Sequence, residues 1–311
     1  MSRFAVLALS IVLSACGGGG SSGGGGGSAS PDPGLPSVDE IRALALSAGH
    51  DGSFSPPPGS RPDEDPVVRL GEALFFSRTL SADYDVACAS CHHPFLAGAD
   101  GLSLPVGVAS VRPWHLGGGR QIDIDKDQVP RRDCNTNLGT CGPNVPRNSP
   151  TIFNSSLYRS AALWDGRVEL VAEDASGLQI RTPESAPVID PQAGSSLLSA
   201  QARLPVVSAN KMRGFAGIEL VSPDDYRNFV TRRLTGQEDD LDDFVTTSEA
   251  GNWLTLFQAA WPTEVTSSND INFARVQEAL AAYQASLVFT NNAWVRWLND
   301  QGELTDDALK G

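Results

Sequence analysis

Five residues in the first third of the chain, Cys88-Ala-Ser-Cys91-His92, set two thiols and an imidazole at a spacing suited to one reaction. Thiols at this separation reach both vinyl groups of a single haem and form two thioethers, and the adjoining histidine falls beneath the iron as its fifth ligand. A bare C-x-x-C also occurs in thioredoxin-like redox pairs and as half of a zinc site. No second C-x-x-C exists among the five cysteines of the 311 residues, and no βαβ pattern surrounds the first. The pentad therefore predicts covalent haem c, one in this chain, with Cys88 and Cys91 as attachment points and His92 as proximal ligand.

The amino terminus gives an independent reason to expect that chemistry. Arg3 precedes an apolar run from Phe4 to Leu13, too short to span a bilayer but of signal-peptide length. The run closes on Leu13-Ser14-Ala15-Cys16, the small-residue pattern that surrounds a lipid-modified cysteine in bacterial lipoproteins. Residues 1–16 are read as a lipoprotein signal ending at lipidated Cys16, with Gly17 after it favouring the outer membrane. An ordinary secretory signal with an incidental cysteine is the competing reading. Residues 17–35, Gly/Ser tracts and then Pro-Asp-Pro-Gly-Leu, bury no apolar surface and are expected to act as a flexible tether. Export matters because bacterial attachment of haem to C-x-x-C-H takes place outside the cytoplasm, here the periplasm or cell envelope.

Two cysteines remain, Cys134 and Cys141, in a polar stretch. In an oxidising compartment they are expected to pair and staple a long loop, with two free thiols as the alternative. A net charge of −14 and a pI near 4.6 argue against nucleic acid as a partner and would steer a basic redox protein.

These groups need elements to hold them. Ser37, with Glu40 three residues on, opens a capped helix, and Asp65-Pro66 opens a second that runs to Phe76. Ser222-Pro223 with Asp224 and Asp225 begins a third, acids lying against its positive end. Apolar residues recur at helical spacing over 247–260 and 270–289. Stretches 94–150 and 175–210 lack periodicity and are rich in Gly, Pro, Ser and Asp, as expected of loops organised around a cofactor. The fold class expected is mainly α with little strand: a cytochrome c-like haem domain with long loops.

Further segments extend the pattern: Leu70-Gly-Glu-Ala-Leu-Phe-Phe76 before the pentad, Pro146-Arg-Asn-Ser-Pro-Thr151 after it, then Trp164-Asp-Gly-Arg167. In this order they resemble the bacterial di-haem cytochrome c peroxidases and their MauG-type relatives, over roughly residues 65–215. The resemblance implies two cytochrome c-like domains with one haem each, peroxide meeting the first and a small donor protein, a cytochrome c or a copper protein, feeding the second. It implies that Asn148 offers its side-chain oxygen to a calcium ion, and that Trp164 relays electrons between haems. It makes the chain an oxidoreductase that reduces hydrogen peroxide to water. The expected associations also include the membrane, through the lipid on Cys16, with a homodimer left open. The alternative is an electron-transfer haem protein or a MauG-like oxidase.

The distal side departs from that family. Its acid-base glutamate precedes a methionine, and the matching pair here is Lys211-Met212; the distal glutamine corresponds to Asp174. Lys211 and Asp174 are thus the candidate distal groups. Counting from the proximal ligand puts Val108 where many relatives have a histidine, leaving His115 as the nearby candidate sixth ligand. The haem domain is expected over 36–295, with 296–311 as the opening of a truncated second cytochrome c domain.

Overall fold

The computed structural model describes residues 36–53, 57, 60–108, 110, 112–121, 134–135, 140–141, 145–214, 222–236, 247–305 and 308. The expected signal segment, lipidated Cys16 and the tether lie outside the described residues.

Capping chemistry accounts for where the helices start. Helix α1 (Val38–Ser47) begins with a reciprocal Ser37/Glu40 box, the Glu40 carboxylate accepting the Ser37 N–H at 2.7 Å. Helix α2 (Pro66–Phe76) begins where the Asp65 carboxylate accepts the Val67 N–H at 2.8 Å. A single turn, α3 (Cys88–Cys91), carries the two thiols. The strands β1 (Cys134–Asn135) and β2 (Thr140–Cys141) pair antiparallel, and β3 (Ala161–Ala162), β4 (Val168–Asp174) and β5 (Gly177–Arg181) form an antiparallel sheet in that order. Helices α4 (Leu197–Ala202), α5 (Leu204–Val207), α6 (Pro223–Leu234), α7 (Thr247–Ala260), α8 (Phe273–Ser286) and α9 (Ala293–Leu298) complete the order.

The main core forms where α2 crosses α8 and where α6 and α7 close over them. Leu70, Leu74, Phe75, Tyr226, Phe257 and Leu280 are all but excluded from water. Each such side chain contributes about 1.5–3 kcal/mol relative to exposure. The crossing is close because residue 71 is glycine: a Cβ there would stand 1.9 Å from the Ala279 carbonyl oxygen. A second cluster, Ala162, Val168, Ile180, Leu197 and Ala200, joins the sheet to α4.

Buried charge ties this second layer to the first. Arg203 holds Asp190 through contacts of 2.9 and 3.0 Å, and its other nitrogen meets Glu184 at 3.2 Å and Gln192 at 2.6 Å. Arg227 on α6 grips the same Glu184 at 2.6 and 2.8 Å. The α6 helix is thereby fixed against the end of the β-sheet.

The architecture is mainly α with little strand, as expected. Two details differ from the sequence reading. The β4–β5 hairpin runs into a stretch read as aperiodic loop, because short, largely exposed strands give no long apolar alternation. The expected domain boundary after residue 295 falls inside α9, whose Trp297 and Leu298 pack with Ala45 of α1.

Candidate haem site

The Cys88–Cys91 turn is closed by local bonds: the Ala87 N–H donates to Ser90 Oγ at 2.9 Å and the His92 N–H to the Cys88 carbonyl at 3.0 Å. The chain then reverses through Ala97 and Gly98, both at positive φ, so that His93 and Ala99 pair. Gly98 is needed twice over, since a Cβ there would also press on Ile152 at 2.8 Å.

This reversal sets the state of His92. Its Nδ1 stands 3.0 Å from the Gly98 carbonyl oxygen and 3.0 Å from that of Pro150. Carbonyls only accept, so Nδ1 carries the ring proton and Nε2 keeps its lone pair. Burial holds the ring's pKa below the ordinary histidine value, which keeps it neutral at pH 7. A neutral imidazole with Nδ1–H held by backbone and Nε2 available is the form that ligates iron.

The two thiols are protonated for the same reason. Burial first, and then mutual repulsion, pushes Cys88 up to about 12; burial pushes Cys91 to about 11. A redox-active C-x-x-C pair works through a thiolate of lowered pKa, and these thiols are shifted the other way. Among the described residues no group of three or more His, Cys, Asp or Glu is placed to hold a metal ion.

The surroundings also fit a large apolar group. Phe95, Leu96, Leu104, Trp114 and Leu116, in the stretch after the motif, are exposed, Phe95 to 93%. Apolar side chains concentrated in this way mark a binding surface. Asp100 is buried beside them, and burial raises its pKa. Its Oδ1 accepts the Leu102 N–H at 3.0 Å, while Oδ2 has no hydrogen-bond partner among the described residues.

Arg120 organises the loops on this side, a role that sequence reasoning missed. Its guanidinium donates to five carbonyls: Gly107 at 2.6 Å, Val106 at 2.8, Asp85 and Pro113 at 3.1, and His115 at 3.4 Å. One buried fork thus gathers three loops around Cys91. An arginine after three glycines reads as a surface charge in sequence, and only its long-range partners reveal it.

The other expected site residues fall in different places. Lys211 lies on a π-helical turn, Ala209–Arg213, whose backbone packs against Gly107, one residue after the Val106 carbonyl that Cys91 Sγ approaches at 3.8 Å. Burial, and then the like charge of Arg167, holds the Lys211 ammonium below its ordinary pKa. Asp174 belongs to the β4–β5 turn, where its exposed carboxylate accepts the Ser176 N–H at 2.8 Å and Oγ–H at 2.6 Å. That is a turn-forming role. His115 is exposed, its ring lying over the Gly119 backbone. Val108 is buried in the main core.

Trp164 is 77% exposed, with the Arg147 guanidinium 4.6 Å from its ring centroid. Arg147 also pairs with Asp165 at 2.7 Å, and Asp165 meets Arg167 at 3.6 Å, which holds the turn rigid. Asn148 donates its amide to the Leu102 carbonyl at 2.6 Å, which leaves the side-chain oxygen as its acceptor. Cys134 stands directly opposite Cys141 in the β1–β2 register.

Residues 65–303 match the family described as di-haem cytochrome c peroxidase. The chain belongs to that family. Among curated relatives, methylamine utilization protein MauG of Methylorubrum extorquens is 25% identical over 257 residues, covering 82% of this chain and 48% of its own length. Cytochrome-c peroxidase IdrP2 of Pseudomonas sp. strain SCT is 29% identical over 136 residues, 44% of this chain and 28% of the relative. Among solved structures, a MauG-like protein associated with microbial copper homeostasis superposes with a TM-score of 0.46 at 18% identity, over 81% of this chain and 50% of that one. The chain spans about half or less of the length of these relatives.

Proposed function

We propose that this chain is the peroxide-facing part of a periplasmic cytochrome c peroxidase-like oxidoreductase, carrying one haem c on Cys88 and Cys91 with His92 Nε2 on the iron. The observation that carries the reading is the state of His92. Nδ1 is committed to two backbone carbonyls and Nε2 is left as donor, immediately after two protonated thiols at haem spacing. Family membership supports the same chemistry. Bound there, haem supplies the iron redox chemistry by which hydrogen peroxide takes two electrons and two protons and leaves as two waters.

The chain's own residues then have separable duties. Gly98 and Pro150 fix the His92 ring, and Arg120 holds the loops that shield Cys91. Trp164, exposed on a turn stiffened by Arg147 and Asp165, is suited to pass electrons from a small donor, a cytochrome c or a copper protein, or from a second haem domain. Asn148 supplies one neutral oxygen to calcium, the remaining ligands being backbone carbonyls, water or residues outside those described. The acidic chain, lipid-anchored at Cys16, favours a basic donor.

A second reading rests on Lys211. A protonated lysine does not take up the proton that a glutamate shuttles, so the site also suits an electron-transfer protein or a MauG-like oxidase. The test is the full chain matured by a periplasmic haem-attachment system. A haem-stained denaturing gel should show a band that Cys88→Ala with Cys91→Ala abolishes. Oxidation of a reduced small cytochrome by peroxide then separates the two readings: turnover supports the peroxidase, and its absence in haem-loaded protein supports the second.

A further inference from the structure

Helix α1 lies ahead of residues 65–303, which match the family, and α9 lies at their end. The two meet in a small cluster of their own. Ala45 on α1 and Trp297 and Leu298 on α9 are 7%, 4% and 6% exposed, with Ile41 and Leu304 packed against them. None of these residues belongs to the main core. The turn after α1 joins the contact: Gly52 takes a φ of 72°, and a Cβ there would stand 2.5 Å from the Asn299 amide nitrogen.

Arg42 closes the seam. Its guanidinium donates to the Trp297 carbonyl at 2.6 Å, lies 4.8 Å from the centroid of the Trp297 ring and pairs with Asp300. That carbonyl stands in the last turn of α9, so the arginine sets a positive charge at the negative end of the helix. The joint is nonetheless shallow. The Asp300 side chain is 78% exposed, and water screens the pair. A cavity of about 520 Å³ opens along the seam, lined by Val38 and Arg42 from α1 and by Trp297, Asp300 and Leu304 from the α9 end.

Neither helix has the length to stand alone. Helix α1 has 10 residues and α9 has 6, and isolated helices below about 12–15 residues are marginal in water. Each therefore leans on the other. We propose that α1 and α9 form a reversible clasp that opens as one unit, with Arg42 as its latch, while the main core stays folded. Opening frees the Arg42 guanidinium, uncovers the Trp297 face and lets the chain pivot at Gly49, which has a φ of 83° and open space where a Cβ would point. A load or a partner acting on the chain ahead of α1 is thereby felt at the end of the family-matched region. Nothing in this coupling passes through Cys88, Cys91 or His92.

The test is hydrogen exchange read by mass spectrometry on the haem-loaded full chain, with limited trypsin digestion beside it. Peptides covering 38–47 and 293–298 are expected to exchange together, about a hundredfold faster than peptides of α2 and α8, because local opening lies well below global unfolding. Arg42→Ala should quicken both peptides by about tenfold, the scale of one charge-assisted hydrogen bond, and leave α2, α8 and the haem spectrum unchanged. Trypsin reaches the bond after Arg42 only in the open clasp, so Asp300→Ala should speed that cut. Should Arg42→Ala fold poorly, Asp300→Ala and the wild-type exchange decide. Exchange of α1 at the rate of the core, or of α1 without α9, would overturn the clasp. Unchanged exchange in Arg42→Ala would overturn the latch.

Discussion

The carbonyl oxygen of Asn210 occupies the place where a side chain on Gly107 would begin: the two positions are 2.0 Å apart. The loop after the haem motif and the π-turn carrying Lys211 are therefore in direct backbone contact, and glycine is the condition for it. Gly107→Ala should cost about 1–3 kcal/mol by overpacking and should shift the absorption spectrum of haem-loaded protein. Gly71→Ala, with a comparable 1.9 Å conflict at the α2–α8 crossing, should lose similar stability in urea while keeping its spectrum. Identical spectra in both variants would detach the loop from the haem environment.

Arg120 offers a second test of the same loops. A lysine has three donors and no fork, so it can replace only part of a guanidinium that reaches five carbonyls. Arg120→Lys is expected to lower unfolding stability by about 3 kcal/mol, on the scale of charged hydrogen bonds lost in a buried setting. Chemical denaturation measures it, and a loss below about 1 kcal/mol, the range of ordinary surface substitutions, would mean that the loops hold without it.

What could be read from the sequence was what local chemistry encodes. The Ser37/Glu40 box, Asp65-Pro66 and Ser222-Pro223 each announce a helix, and α1, α2 and α6 start there. The C-x-x-C-H pentad announced a candidate haem site whose histidine geometry now supports it. Three things were hidden. Arg120 draws its partners from residues 85 to 115, and nothing local records them. Asp174 looked like a displaced distal group because alignment across loops counts residues and not turns; its carboxylate closes a hairpin. Asp100 carries no motif, and its burial comes from the fold alone.

The Asp190–Arg203 pair, with side chains 5% and 3% exposed, binds the sheet end to α4 and α6 through shared Glu184. Asp190→Asn leaves a buried guanidinium short of charge and also disturbs the 2.6 Å bond from Thr182 Oγ1. A loss of about 3–5 kcal/mol is expected in urea unfolding. Replacing both Asp190 and Arg203 by apolar residues should recover part of it, since an unpaired buried charge costs more than no charge. No recovery in the double variant would assign the loss to packing.

The β1–β2 register sets Cys134 opposite Cys141, a placement whose Cα separation suits a cross-strand disulfide. Oxidised protein from the periplasm is expected to yield the joined peptide by mass spectrometry without reduction. Cys141→Ser should then lower stability by about 2–3 kcal/mol, the loop-entropy value for so short a ring. Free thiols at both positions in periplasm-derived protein would refute the pairing.

Asp270 gives a pH dependence with a definite sign. Its carboxylate accepts the N–H groups of Ser267 at 2.9 Å and Thr266 at 3.0 Å, and both hydroxyls as well, just before α8. The Ser267 and Thr266 backbone bonds, with their hydroxyls, lower its pKa from 3.8 to about 2. Because the folded value is the lower one, the unfolded chain binds the proton first, so the contribution is complete above the unfolded value. It fades as pH falls from about 4 to about 2 and is gone below. Asp270→Asn should therefore melt at a lower temperature than wild type at neutral pH, and the two curves should converge toward pH 2. The check is a series of thermal melts across that interval. A gap that stays constant or widens on acidification would show that the charge of Asp270 does not stabilise the entry to α8.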